Sequence, residues 1–435
     1  MTRSVTTIPD EGRSAMRKAQ WRIVPLVALG YLCAYMDRVN VGFAAVRMNA
    51  DLGFSATVYG LGAGLFFLGY ALFEIPSNLV AVRQGPRRWL ARIMISWGIV
   101  SAAMMLVRTP MQFYAMRFLL GAAEAGFWPG LIYYFAMWFP VSHRGRAVSR
   151  FYVASPLASL VMGAMAGALL ALDGMAGLRG WQWLLLVQGL PSVAVGFAFL
   201  RLLPDKPQTV DWLTQGEKAW IAGELAREAE TLDAPPGHDV LAALRNPRVL
   251  GLAATGFFSS GVMTTLSLSA PLVLLGATGL DATRVGYLVS VGGVIGAVTM
   301  IAAGDWSDWR GDRFLNAFWM ILAMAGALLM LALARSHAVA IVGYLGFAAT
   351  CFTVNMLLSS GWADVMHPRE RAVGAAAINM IANLGGFAMP YAWGAMRDAT
   401  GAFTTGLVGL TFASLVAATL ALVVRRSHAA QQAPR

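Results

Sequence analysis

Tyr35-Met36-Asp37-Arg38-Val39-Asn40 lies two-thirds of the way along an apolar run from about Trp21 to Val46. That run is long enough to cross a bilayer, which places Asp37 and Arg38 at membrane depth. An ionisable side chain there costs roughly 2.5–3.5 kcal/mol on insertion scales and needs a partner or a polar cavity. Two readings fit the pair. Either Arg38 is an anion site beside a protonatable Asp37, or the two only lock the first helix against a neighbour. A second charged pair, Arg117 and Glu124, occurs in a later apolar run and favours the functional reading.

The rest of the chain belongs to the same kind of molecule. Of its 435 residues 58% are hydrophobic and 13% charged, about half the charge of an average soluble domain. About twelve apolar spans of roughly 20 residues can be placed. They lie near 21–46, 57–82, 89–107, 111–139, 148–172 and 181–201, then 248–276, 284–304, 314–334, 338–362, 371–396 and 402–424. The expected organisation is an N-terminal tail (1–20), a six-helix bundle (21–201), a linker (202–247), a second six-helix bundle (248–424) and a C-terminal tail (425–435). This is an all-α integral membrane protein with twelve transmembrane helices in two pseudo-symmetric bundles.

The net charge of +11 is explained by sidedness and calls for no nucleic-acid partner. Arg83, Arg87, Arg88, Arg92, Arg144, Arg146, Arg150, Arg310, Arg313, Arg369, Arg371, Arg425 and Arg426 share one side with the basic N-terminus and linker. The other side has only Arg47, Arg108, Arg179, Arg284, Arg335 and Arg397. Both termini and the linker are therefore expected in the cytoplasm, in the cell's inner (plasma) membrane. Residues 1–20 are polar and lead straight into the first span, with no cleavable signal sequence evident. Cys33 and Cys351 lie inside spans, which suggests neither a disulfide nor a metal site. All five histidines fall in loops, at span edges or in the tail, so none is an intramembrane proton carrier. No catalytic constellation is visible, no cofactor is called for, and a monomer is expected.

Within the linker, Thr214-Gln215-Gly216-Glu217 fits a capping box opening a surface helix from Lys218 to Glu230, read as a solvated tie between the halves. The halves repeat. Gly85 and Arg87 between spans two and three match Gly311 and Arg313 between spans eight and nine. Parallel halves related by an axis along the membrane normal are a transporter architecture.

Over nearly the whole chain the sequence resembles the major facilitator superfamily, whose signature loop is similar to Gly304…Asp308…Gly311…Arg313; the first copy departs from it at Val82. Asp37-Arg38-Val39-Asn40-Val41-Gly42-Phe43-Ala44 resembles the first-helix motif of the anion:cation symporter family, the organic-acid/proton symporters of the tartrate, phthalate and hexuronate type. Tyr70 to Asn78, Arg117 to Gly130, and Asn379 with Asn383-Leu384-Gly385-Gly386 and Pro390-Tyr391 resemble it too. The resemblance implies proton-coupled uptake of organic anions and assigns those roles to Asp37, Arg38, Arg117 and Glu124.

The residues alone support a division of labour. Arginine stays charged and grips a carboxylate with two prongs, so Arg38 is the first choice for the substrate. Arg117 and Glu124, seven residues apart, share a helix face about 10 Å apart; a clamp internal to the first bundle is the alternative. Asp37 and Glu124 are the expected proton carriers, because burial raises and a neighbouring Arg lowers a carboxyl's proton affinity. Tyr70 and Asn383 are candidate hydrogen-bonding partners of the substrate, with plain packing the alternative for Tyr70. Asn355, Asn379, Phe127 and Trp128 are weaker candidates. Glu74 reads as a gate or loop anchor, or else a proton site. Asp308 is expected to accept hydrogen bonds from free amides at a helix N-terminus, or to pair with Arg313 or Arg371, when the cytoplasmic side closes, with a solvated loop charge the alternative. No span of the second half contains a basic residue, which hints at a monocarboxylate, a hydroxy acid or an aromatic acid. The function that follows is proton-coupled import of a small organic anion by alternating access. A proton-coupled exporter is the alternative, with a non-transporting sensor further behind.

Overall fold

The computed structural model describes residues 9–231, 246–310, 312–365 and 371–432. The first bundle contains α1 (Asp10–Leu52), α2 (Ala56–Gln84), α3 (Pro86–Ala103), α4 (Pro110–Glu124), α5 (Phe127–Trp138), α6 (Val141–Tyr152), α7 (Ala154–Leu170) and α8 (Gly180–Leu202). The linker contributes α9 (Gln215–Thr231). In the second bundle are α10 (Pro247–Thr278), α11 (Ala282–Arg310), α12 (Arg313–Ala332), α13 (His337–Val365), α14 (Arg371–Thr400) and α15 (Phe403–Gln432). Among the described residues, nine helical stretches are long and apolar enough to cross a bilayer. The broken α4–α5 pair, α1 and α14 complete the twelve spans; these three are interrupted or diluted by the polar residues described below.

Two spans expected to be continuous are broken, each for a local reason. Gly126 adopts φ 85°, a left-handed conformation natural to glycine, between α4 and α5. A Cβ there would also collide with Ser77. The break makes Glu124 the last residue of α4. Between α6 and α7, Pro156 cannot bond the carbonyl of Tyr152, and the Ser155 hydroxyl donates to that carbonyl at 2.9 Å instead.

The bundles meet most closely at the end away from the linker. A Cβ on Gly42 would stand 2.5 Å from the Leu268 carbonyl oxygen, and one on Gly64 the same distance from that of Phe387. Small residues let helix backbones approach in this way. Tyr59 donates to the Leu268 carbonyl at 2.8 Å. Asp398, near the end of α14, accepts from the backbone amides of Ala56 and Thr57 at 3.0 and 2.8 Å. It thus caps the N-terminus of α2 from the other bundle. Burial alone would raise the Asp398 carboxyl, but the hydrogen bonds from Thr57, Ser55 and Ala56 outweigh it and hold the group at about 2.

A contact of this kind favours the conformation that makes it. Asp398→Asn is expected to shift the population about 2- to 5-fold toward the state open at this end, since such cap charges contribute about 0.3–1 kcal/mol. The wild-type contribution is complete above the ordinary carboxylate pKa of about 4 and is lost as pH falls toward the depressed value. The check is the labelling rate of a single cysteine at Ser267, reached by an impermeant thiol reagent from the Asp398 side. An unchanged rate would reduce Asp398 to a local cap.

The linker is more than a solvated tie. The capping box forms as expected: the Thr214 amide donates to Glu217 at 2.8 Å and the Glu217 amide to Thr214 Oγ1 at 3.2 Å. Yet Ile221 is buried, Lys18 pairs with Glu217 at 2.8 Å and Arg144 pairs with Glu228 at 2.9 Å. Trp212 stacks on Trp138 with centroids 5.7 Å apart. Apolar burial and two ion pairs therefore dock the linker helix on the first bundle. Residues 232–245 lie outside the described residues.

Candidate functional site

A cavity of about 220 Å³ lies between the bundles. One wall comes from α1, α2, α5, α6 and α7, the other from α10, α13 and α14. The wall reaches toward the linker end through Tyr152, Trp362 and Ser359, where Ser359 is exposed. Away from the linker the bundles pack shut, and toward the linker the described wall ends at Tyr152, Ser359 and Trp362.

Arg38 stands in this wall. On α1, Tyr31, Tyr35 and Arg38 recur at helical spacing, so one face presents all three to the cavity. The Arg38 guanidinium donates through Nε and Nη2 to the same oxygen of Glu124, Oε1, at 2.9 and 2.7 Å. Its side chain keeps 27% exposure, whereas Glu124 has none. The Tyr35, Tyr70 and Phe66 rings surround the cation, with centroids 5.4, 5.3 and 5.8 Å away.

Asp37 turns the other way. Successive residues of a helix point about 100° apart, and Asp37 is buried away from the cavity wall, at 1% exposure. Its Oδ1 accepts from Ser101 on α3 and, at 2.9 Å, from Asn40, which also donates to Gln188 on α8. Asp37 Oδ2 and Glu124 Oε2 have no hydrogen-bond partner among the described residues. Each carboxylate thus keeps one oxygen on which a proton could reside.

Arg117, expected among the substrate-binding residues, is set back from the cavity wall in this conformation. It is fully buried and absent from the cavity wall, and its Nη2 donates to the Ala63 carbonyl at 3.2 Å. Its guanidinium lies 5.0 Å from the Phe66 ring, which also faces Arg38. Nor does it clamp Glu124 directly, since Arg38 holds that carboxylate.

Tyr70 and Asn383 both reach the cavity wall, as do Asn355, Asn379, Phe127 and Trp128. Glu74 is no loop anchor. Its two oxygens accept from Asn379 Nδ2 at 2.8 and 2.9 Å, a contact between bundles across 305 positions of sequence. In the signature loop, Arg313 donates to the Ser360 carbonyl at 3.2 Å and ties α12 to α13. Gly304 lies within α11. Gly311 and the Asp308 side chain fall outside the described residues.

The wall also contains residues that sequence reasoning passed over. Ser259, Ser260, Thr264 and Ser267 present hydroxyls from one face of α10, and Tyr152 and Ser159 complete the first bundle's side. Their helical recurrence was the available signal, and it is the pattern of a polar stripe on a span.

Two six-helix bundles around a central cavity with charged groups at membrane depth define a secondary-transporter architecture. The chain belongs to the Major Facilitator Superfamily, whose family model matches residues 27–390. It is thus a multi-pass membrane transporter, not an enzyme. It is 40% identical over 417 residues to a protein of Agrobacterium vitis described as "Putative tartrate transporter", covering 95% of this chain and 91% of that one. With a quinolone resistance transporter of Acinetobacter baumannii it shares 34% identity, covering 95% and 96%. A bacterial homologue of the human lysosomal transporter Spinster, solved in an inward-facing, unoccupied conformation, superposes with a TM-score of 0.76. That match has 16% identity and covers 94% of this chain and 98% of the other, so it speaks for the fold alone.

Proposed function

We propose that this transporter imports a small organic anion together with protons by alternating access. The observation that supports it most is Arg38, exposed to the cavity yet held by a single oxygen of the buried Glu124. An incoming carboxylate competes for the same guanidinium. Once Arg38 turns to the substrate, Glu124 loses its counter-charge in a dry site, and protonation becomes its cheapest state. Charge counting gives the same result. Asp37, Glu124, Arg38 and Arg117 sum to zero, so a bound monoanion leaves one negative charge in a medium of low dielectric, and one proton restores neutrality. Asp37, joined to α3 and α8 away from the cavity, is the second carrier.

The carboxylate would sit on Arg38, with Tyr70 donating from the same wall and Asn383 from the opposite one. The basic loops support cytoplasmic termini and linker in the inner membrane, with domains as set out from the sequence. Asp308, Gly304, Gly311 and Arg313 would steady the linker end when it closes. The relative named as a tartrate transporter fits an organic-acid substrate. A second reading, a proton-coupled exporter, is favoured by the relative named for quinolone resistance.

Proteoliposomes separate the two. Import predicts that labelled organic acids accumulate inside when the outside is acidified, and only reach equilibrium without a gradient. Extrusion of preloaded acid under the same gradient, without accumulation, would establish the exporter instead.

A further inference from the structure

The two walls of the cavity differ in chemistry, and its charges are unevenly placed. On the first bundle's side Tyr31, Trp128 and Tyr152 form a cluster, with Tyr31–Trp128, Trp128–Tyr152 and Tyr31–Tyr152 centroids 5.3, 5.5 and 5.8 Å apart. Such a surface accepts a flat apolar face. On the opposite wall are Ser260, Thr264, Asn355 and Asn383. Among the described residues Arg38 is the one cation in the wall. Glu74 lies one turn beyond Tyr70 on α2 and accepts both bonds from Asn379, which itself lines the cavity. The cavity is therefore bounded by one positive group and, behind Asn379, the carboxyl group of Glu74.

We propose that the site selects acids bearing a single carboxylate on a planar, hydroxyl-substituted ring, and that Glu74 is the residue that turns a second carboxylate away. This deepens the organic-anion reading and rests on it. The carboxylate meets Arg38, the ring lies against the tyrosines and Trp128, and ring hydroxyls reach the serine, threonine and asparagine side chains. A second carboxylate would have no cation to meet, and toward α2 it would approach the Glu74 carboxyl held behind Asn379. Selectivity of this kind comes from a repulsive element as much as from an attractive one.

The test measures binding of labelled 4-hydroxybenzoate to the purified protein, with competition by terephthalate, which puts a carboxylate where the hydroxyl was, and by gluconate, which keeps one carboxylate and hydroxyls but has no ring. Terephthalate and gluconate should each compete at least about tenfold more weakly than unlabelled 4-hydroxybenzoate. Glu74→Gln keeps an oxygen for Asn379 but removes the charge, and should bring the terephthalate ratio to within about threefold. Asn383→Arg, which adds a cation to the far wall, should do so independently and guards against a poorly folded Glu74 variant. Equal competition by terephthalate in the wild type, or a ratio unmoved in a Glu74→Gln protein that still binds 4-hydroxybenzoate, overturns the role of Glu74. Stronger binding of gluconate overturns the ring while leaving organic-anion transport standing. If none of the three acids binds while another organic acid accumulates in proteoliposomes, this inference falls and the organic-anion reading stands; if no organic acid is taken up, both fall.

Discussion

Arg38→Lys is expected to weaken substrate binding by about 30- to 150-fold, although the charge is retained. The wild-type guanidinium gives Nε and Nη2 to Glu124, and once turned to the substrate the same planar fork meets both oxygens of its carboxylate. A lysine ammonium is a compact point charge that cannot form this two-pronged contact. Losing a desolvated, charge-assisted contact of this kind costs about 2–3 kcal/mol, which sets the expected factor. Calorimetric titration of the purified variant with a transported acid measures it. Affinity within a factor of three of wild type would remove Arg38 as the carboxylate clamp.

Glu124→Gln should abolish gradient-driven accumulation while substrate exchange persists. The glutamine amide mimics the protonated carboxyl, so the site can still bind and cross but has no proton to couple. Asp37→Asn tests the second carrier in the same way, and its effect reads separately because Asp37 bonds Ser101 and Asn40 away from Arg38. The readout pairs accumulation under a pH gradient with counterflow at equal pH. Glu124→Gln should lose the first and keep the second. If both still concentrate substrate, the coupling groups lie elsewhere.

Much of this was legible in the chain because membrane insertion makes sequence unusually explicit. Apolar runs of fixed length marked the spans, and a charge among them stood out as something needing a partner. The capping box at Thr214 and Glu217 is local, and it formed where its spacing placed it. Arg38, Tyr70 and Asn383, singled out in the sequence, stand in the cavity wall.

What was illegible involves direction and distance. A seven-residue spacing puts Arg117 and Glu124 on one face, but not which neighbour that face meets. It met Phe66 and Ala63 for the arginine, and Arg38 for the glutamate. Adjacent in sequence, Asp37 and Arg38 diverge because a helix turns about 100° between them. The Glu74–Asn379 contact joins two bundles whose register only the folded molecule sets. The break at Gly126 is a backbone conformation that glycine permits but does not announce.

The central claim is that an organic anion arriving at Arg38 releases Glu124 to take up a proton. Substrate-induced proton uptake tests it most directly. Purified protein in weakly buffered solution with a pH-indicating dye is mixed with a transported acid at matched pH. The account predicts alkalinisation close to one proton per bound anion in the wild type, and none from this site in Glu124→Gln at saturating substrate. Full binding with no pH change in the wild type, or undiminished uptake in Glu124→Gln, would contradict it.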